Sequence, residues 1–516
     1  MSDTTLAAAL TAELASDLTA TSGTTATVIA PFTGQPLHEV PVSTAADVHD
    51  AYASARIAQV AWLASGPDHR RRVLLKAHDL LLERREELLD ILQTESGKTR
   101  GQAFEEIFQG ASVTRYYAVS AKSVLKTRRR RAGIPIVVST RVSYKPKGAI
   151  GVITPWNYPI ALSLMDVIPA LAAGNAVVQK ADNQGALSIL ASRRAFIEAG
   201  VPAALWAVVV GPGDEVGNAI VDGGDYVCFT GSTPTGTKVG ERAAKALHGA
   251  SLELGGKNPM IVLDDVNPAT AAADALFSVI SSMGQLCVSI ERIYVQRSVS
   301  IAFTDALAER FGSITQGGAL DYSTDVGSLT SQAQLERVQA QVDDAVAKGA
   351  TVLAGGKPRP DLGPYFFEPT LMTGVTADME CFAHETFGPL VAVHVVDTED
   401  EAIDLANASE FGLNASVFTG SVARGRRVAD RISAGSVNIN EGYRASFSSV
   451  DAPMGGMKRS GLGRRNGPEG ILRFVESRTV ANATGLLTLP RTGAELQQLT
   501  GVMLMALKAL KALRRR

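Results

Sequence analysis

From Gly148 to Gly256 the chain alternates short β-rich runs with amphipathic stretches, and this alternation constrains the fold more than any other feature. Residues 148–152, 176–179, 207–210 and 226–229 read as strands; residues 159–173, 186–198, 215–221 and 235–244 read as helices. Strands separated by helices are not joined by tight turns, so they pair in parallel and the crossover helices cover both faces. The site of such a sheet lies outside the carboxyl ends of its strands. From Lys257 to about Ala452 the alternation returns, with helices expected at 269–282, 301–311, 333–348, 399–407 and 421–432. The fold class is therefore α/β, with two parallel-sheet units; at 46% hydrophobic residues the chain can bury both cores.

The flanks carry weaker signals. Residues 5–18 have helical apolar spacing, Pro31–Gly34 is a turn between strands, and 46–62, 70–93 and 102–125 read as helices. Lys126 and Arg128 to Arg131 put five positive charges in six residues, read as a solvated turn before exposed strands at 136–142 and 142–145. A net charge of −2 gives no global footprint of a nucleic-acid binder. The cysteines are Cys228, Cys287 and Cys381; an odd, widely spaced set argues against a disulfide framework and fits a reducing, cytoplasmic setting. Met1 to Leu18 lacks the charged start of a signal peptide, and the apolar stretch 148–178 is broken by Pro155, Asn157, Pro159, Asp166 and Pro169, so it does not span a membrane. No metal site is expected.

Three short stretches carry chemistry. Residues 281–292 contain Cys287, residues 252–259 place Glu253 34 positions before it, and Pro155 to Pro159 contain Asn157. A thiol, a carboxylate and a side-chain amide are the parts of acyl chemistry through a thioester. A lone cysteine is more often buried filler, so the weight rests on the combination. Phe229 to Gly236 follows a strand and opens a helix; Gly231 lets a pyrophosphate approach the backbone, and Pro234 fits the first helical turn. The glycines at 211 and 213 match a dinucleotide loop only loosely.

The strings PWNYP, GNAVVQK, FTGSTPTG, LELGGKNP, GQLC, ETFGP and PMGGMKRSGLGR occur in this order. Together they resemble the aldehyde dehydrogenase superfamily over residues 30 to 480, and MGQLCVSIERIYV and APMGGM are most like its actinobacterial succinate-semialdehyde dehydrogenase-like members. The resemblance implies two α/β domains, nucleotide-binding at 25–126 and 146–255 and catalytic at 256–452. It also implies a β-hairpin oligomerisation element at 127–145 and 468–484, in a homo-dimer or tetramer. Cys287 would attack an aldehyde, Asn157 and the Cys287 N–H would hold the oxyanion, and Glu253 would activate the hydrolytic water. NADP or NAD would be held by Thr154, Pro155, Trp156, Lys180, Asn183, Gly231, Ser232, Gly236, Leu254, Glu385 and Phe387. Members that prefer NAD often carry Glu three residues after the strand lysine; the neutral Asn183 here leaves NADP acceptable.

The chain also departs from the pattern. Two positions that hold arginines in enzymes for succinate semialdehyde hold Met165 and Ser281 here, with Arg444 a candidate substitute and Phe447 nearby in sequence. Succinate semialdehyde therefore stays open beside hydrophobic medium-chain or aromatic aldehydes, and beside a catalytically inert relative. A lysine and a glutamate that pair in many members are replaced by Asp166 and Arg465, which predicts an ion pair of reversed polarity. In the tail, 485–516, Leu499, Val502, Met503, Ala506, Leu510 and Leu513 share one helical face, with Lys508, Lys511 and Arg515 on another. A stretch this short does not span a bilayer, but such a helix can lie on one, or dock on protein.

Overall fold

Five parallel strands and one short antiparallel strand form the first sheet, in the order Gly461–Leu462, Gly249–Glu253, Tyr226–Thr230, Ala149–Ile153, Ala176–Lys180, Trp206–Val209. The structure is a computed structural model that describes residues 6–133, 137–485 and 490–512. Strand order reverses direction between Ala149–Ile153 and Tyr226–Thr230, which makes the carboxyl ends of these two strands the crevice where a doubly wound sheet binds ligand. The second sheet has seven strands, in the order Thr351–Ala354, Thr370–Thr373, Leu390–Val396, Ile290–Gln296, Asn258–Val262, Asn414–Phe418, Ser436–Ile439, all parallel except the first. The central strand Ile290–Gln296 is buried at every position, and so is the helix Pro159–Ala173 that packs on the first sheet.

Several expected elements take a different form. The stretch 70–93 is two helices, Gly66–Glu83 and Arg85–Ser96, separated at Arg84 with φ −92° and ψ 13°. Its apolar period reads through the break because Leu74, Ala77 and Leu81 on one helix and Leu88 and Leu92 on the other all face the core. Residues 213–223 form a π-type turn, Gly213–Gly217, running into a short helix, Asn218–Gly223. The basic run is a strand rather than a turn. Arg128–Arg130 pairs with Val138–Pro146, whose other edge pairs with Val475–Ala483 in a three-stranded antiparallel sheet. All three arginines are exposed, and charge on an edge strand discourages unwanted pairing. Ile136, at the start of the expected strand, lies outside the described residues.

The reversed ion pair is present. Arg465 donates from Nε to Asp166 Oδ1 at 2.9 Å and from Nη2 to Oδ2 at 2.5 Å, and a second guanidinium, Arg473, reaches Oδ1 at 2.6 Å. Arg465 Nη2 also donates to Thr230 Oγ1, at the end of a strand of the first sheet. Asp166 is fully buried; burial opposes its charge, but Arg465 and Arg473 prevail and hold its carboxyl below the usual range. Removing one member of such a cluster leaves a buried charge unpaired and costs about 3–5 kcal/mol. Asp166→Lys and Arg465→Glu should each lose stability on this scale. Combined, they should recover only part of it, because Arg473 would then face an ammonium. Urea unfolding of the four proteins of this cycle measures the coupling; strict additivity would show that the two residues act independently.

Candidate active site

Loops from both sheets converge on one cavity of about 220 Å³. The first sheet supplies Pro155, Trp156 and Asn157 after Ala149–Ile153, Gly231 and Ser232 after Tyr226–Thr230, and Glu253 as the last residue of Gly249–Glu253, with Leu254 following. The second supplies Cys287, three residues before Ile290–Gln296, and Glu385 and Phe387, just before Leu390–Val396. These ten sequence-predicted residues all line the cavity. Gln334 and Arg337, from the helix Gln332–Ala347, line it as well, and sequence reading did not single them out.

Other candidates stand off this cavity. Thr154 is buried, and its hydroxyl accepts from Gln179 Nε2 at 2.9 Å. Lys180 ends its strand half-buried, its Nζ making only a 3.4 Å contact with the Ala181 carbonyl. Asn183 opens a 3-10 turn, Asn183–Gly185. Gly236 lies in the helix Thr233–Lys245. Met165 is fully buried in the helix Pro159–Ala173, and Ser281 Oγ donates to the Phe277 carbonyl at 2.8 Å. Arg444 is exposed, paired with Glu441 at 3.1 Å and stacked over Phe277. Phe447 is buried edge-on against Tyr158 and Tyr443.

The backbone at the thiol is tightly specified. Asn258 Nδ2 donates to the carbonyls of Cys287 (2.8 Å) and Ser289 (2.7 Å), and its Oδ1 accepts from Asn414 N at 3.0 Å. A side chain at Gly256 would place its Cβ 2.7 Å from the Cys287 carbonyl oxygen, so only glycine lets these strands approach. Asn157 Nδ2 donates to the Gln285 carbonyl at 2.9 Å, leaving one amide proton free. Phe387 packs edge-on against Trp156, closing the two sheets' loops on each other. Asn258, inside the LELGGKNP string, does this supporting work.

Burial dominates the electrostatics. The Glu253 carboxyl is pushed up to about 7 by burial, against the pull of Arg465 and Arg473, and its Oε1 is a buried acceptor without a partner. Burial, then Glu385 and Glu253, push the Cys287 thiol up to about 12. Glu385 is pushed up to about 7 by burial and by Glu291, although its Oε1 accepts from Gly256 N at 2.9 Å. The resting site thus holds a neutral thiol beside carboxyl groups that exchange protons near neutrality. Cys228 and Cys381 are buried in the two cores with raised thiol values.

Residues 18–480 match the aldehyde dehydrogenase family. A Mycobacterium tuberculosis protein provisionally named succinate-semialdehyde dehydrogenase [NADP(+)] 2 is 49% identical over 459 residues, covering 89% of both chains. Rice mitochondrial succinate-semialdehyde dehydrogenase is 36% identical over 88% of this chain and 85% of its own. Among solved structures, the NAD+ complex of a Bacillus cereus aldehyde dehydrogenase superposes with a TM-score of 0.86 at 33% identity, over 90% of this chain and 95% of the other. The chain belongs to the aldehyde dehydrogenase family and is an enzyme that oxidises an aldehyde.

Proposed function

We propose that the enzyme converts succinate semialdehyde to succinate with NADP or NAD, through a thioester on Cys287. The observation that carries the reading is the convergence of Cys287, Glu253 and Asn157 on one cavity. The names of the mycobacterial and rice relatives support the substrate, and the mycobacterial name and the Bacillus cereus complex support the coenzyme.

The site fits a dinucleotide. Ser232 caps the helix Thr233–Lys245 at the cavity wall, Lys180 offers an ammonium with one weak contact, and Glu385 Oε1 is engaged by one backbone N–H. These residues would hold the phosphates and riboses, with the neutral Asn183 tolerating a 2′-phosphate. When bound, the coenzyme accepts the hydride that leaves the substrate carbon.

The protein's own steps follow. Cys287 gives up its proton to bulk solvent and attacks the aldehyde carbon as a thiolate. The free Asn157 amide proton and the Cys287 N–H take the charge on oxygen, each such donor lowering the barrier by about 3–4 kcal/mol. Once the thioester has formed, Glu253 takes a proton from water, which displaces the thiolate as the acid leaves. We read 25–126 with 146–255 as the nucleotide-binding unit, 256–452 as the catalytic unit, and 127–145 with 468–484 as the oligomerisation element of a dimer or tetramer.

A base with a value near 7 must be deprotonated to act. Thioester hydrolysis should therefore rise with pH through about 7 and then level off. Glu253→Gln should keep a burst of reduced coenzyme and then stall, as rapid mixing would record. Loss of the burst with normal steady turnover would assign the roles otherwise.

A second reading, for uncharged aldehydes, is favoured by the lack of a cation at Met165 and Ser281 and by the Arg444–Glu441 pair at the surface. A carboxylate entering without a cation pays desolvation, whereas each added methylene contributes about 0.8 kcal/mol. Rates over an aldehyde panel, with Arg444→Ala beside the wild type, decide between the two. Selective loss on succinate semialdehyde would show that Arg444 swings inward; efficiency climbing with chain length would favour the apolar reading.

The tail helix Gly493–Ala512 begins with reciprocal bonds between Thr492 and Glu495 and has no buried residue. Leu499, Val502 and Leu507 are exposed, and Lys508 and Lys511 give it positive charge. Leu513 to Arg516 lie outside the described residues. No described helix is long and apolar enough to cross a membrane. A basic amphipathic helix suits an anionic lipid surface. The full chain should float with phosphatidylglycerol vesicles and release in high salt, while a chain ending at residue 485 should stay unbound and active. Equal flotation of both would remove the tail from any lipid role, and a lower oligomer after truncation would assign it to subunit docking.

A further inference from the structure

Lys98 and Glu106 are both buried and pair with each other, and neither makes contact with the cavity. Lys98 Nζ has two further partners: it donates to the Asn157 carbonyl, and it sits 3.7 Å from the centre of the Tyr158 ring. Glu106 Oε2 accepts from Ile160 N at 3.0 Å and from Ala161 N at 3.2 Å. These are N–H groups of the first turn of the helix Pro159–Ala173, whose own cap residue, Tyr158, supplies no side-chain bond. A carboxylate from the helix Arg100–Val124 therefore caps a second helix, and its ammonium partner clamps the carbonyl of Asn157, two residues before that helix. The Asn157 backbone is gripped from one side by Lys98, and its side chain is tied on the other to the Gln285 carbonyl, two residues before the thiol.

We propose that Lys98 and Glu106 are positioning residues for the oxyanion step, acting through Asn157. A free amide proton contributes to a transition state only if it is aimed at the oxygen that gains charge, since a donor that must reorient during the reaction loses most of its effect. The pair removes that freedom: the carbonyl of Asn157 is fixed by an ammonium, and the helix that begins two residues later is fixed by the carboxylate. This rests on the assignment of Asn157 as oxyanion donor.

Lys98→Met alone strands the Glu106 charge and risks misfolding, so the main variant is Lys98→Met with Glu106→Gln, which leaves no buried net charge. It is set in a cycle with Asn157→Ala. In each protein three quantities are measured: the burst rate of coenzyme reduction at saturating aldehyde, the rate of Cys287 alkylation by iodoacetamide, and the affinity for NADP. The neutral pair should slow the burst by up to about 100-fold, approaching the loss in Asn157→Ala. Alkylation and NADP affinity should stay near wild type. In the triple variant the burst should be no slower than in Asn157→Ala, because the pair then has no amide left to aim. Multiplicative losses in the triple variant, or an unchanged burst in the neutral pair, would overturn the inference. Equal losses in alkylation and coenzyme affinity would do so too, since they would mark a general loosening of the loop. A normal burst in Asn157→Ala itself would instead overturn the oxyanion assignment.

Discussion

Lys257 and Glu291 face each other at 2.5 Å, each at most 3% exposed, at the junction on which the catalytic geometry depends. Glu291 also accepts from Thr386 N and Phe387 N, at 2.9 and 3.0 Å, and so fixes the loop that carries Glu385. The Lys257 carbonyl in turn accepts from Arg292, at 2.9 Å from Nε and 2.6 Å from Nη2, which binds the entry of one central strand to its neighbour. An isolated charge at this depth is too costly to persist. The pair therefore specifies a register between three segments that are distant in sequence, and Phe387 is held at φ +52° as part of that arrangement. A left-handed conformation in a bulky residue costs about 1–3 kcal/mol and survives only where neighbours over-determine it.

The segment before the thiol shows the same economy. Ser282 and Met283 have φ of +52° and +56°, and Gly284 follows at +67°. A Cβ on Gly284 would lie 2.1 Å from the Gly388 carbonyl, so the loops after Phe387 and before Cys287 touch backbone to backbone. Gln285 then ties the turn down: its side-chain oxygen accepts from Thr330 N at 3.0 Å and its carbonyl accepts from Asn157. The left-handed residues end the helix Pro268–Ile280 abruptly and turn the chain toward the cavity, where Asn258 takes over the Cys287 carbonyl.

Much of this architecture was legible in the sequence, and the limits have physical causes. The helices Pro159–Ala173 and Glu399–Asn407 coincide with their apolar patterns, because both are bounded by local signals, a proline and the Thr398 cap. The break at Arg84 was hidden because the apolar stripe continues across it. Arg128–Arg130 has no alternation to mark it as a strand; its pairing with Val138–Pro146 is tertiary. At the site, the motif residues could be named, since each string has a local reason to turn or cap. Glu106, Glu291 and Arg473 could not, because their meaning lies in partners such as Ile160, Thr386 and Asp166, which a linear reading does not bring near. Arg444 was readable as a cation but not as one already engaged by Glu441.

The charge cluster beneath Glu253 shows why reversing a pair need not disturb the chemistry above it. Arg465 and Arg473 bring two positive charges and Asp166 brings one negative. The surplus positive charge opposes the burial that would otherwise keep Glu253 protonated. Ionised Glu253 brings the four groups to neutrality, whereas protonated Glu253 leaves a buried guanidinium charge uncompensated. Glu385 is balanced differently: burial and the Glu291 carboxylate push it up, while the Gly256 N–H, Arg337 and Lys257 pull it down. A lysine–glutamate pair at 166 and 465 would leave the net charge of the set unchanged but would put an ammonium, in place of the Asp166 carboxylate, against Arg473. The aspartate is therefore tied to Arg473, which it meets at 2.6 Å, and the polarity of the pair follows from that contact rather than from the charge of the set.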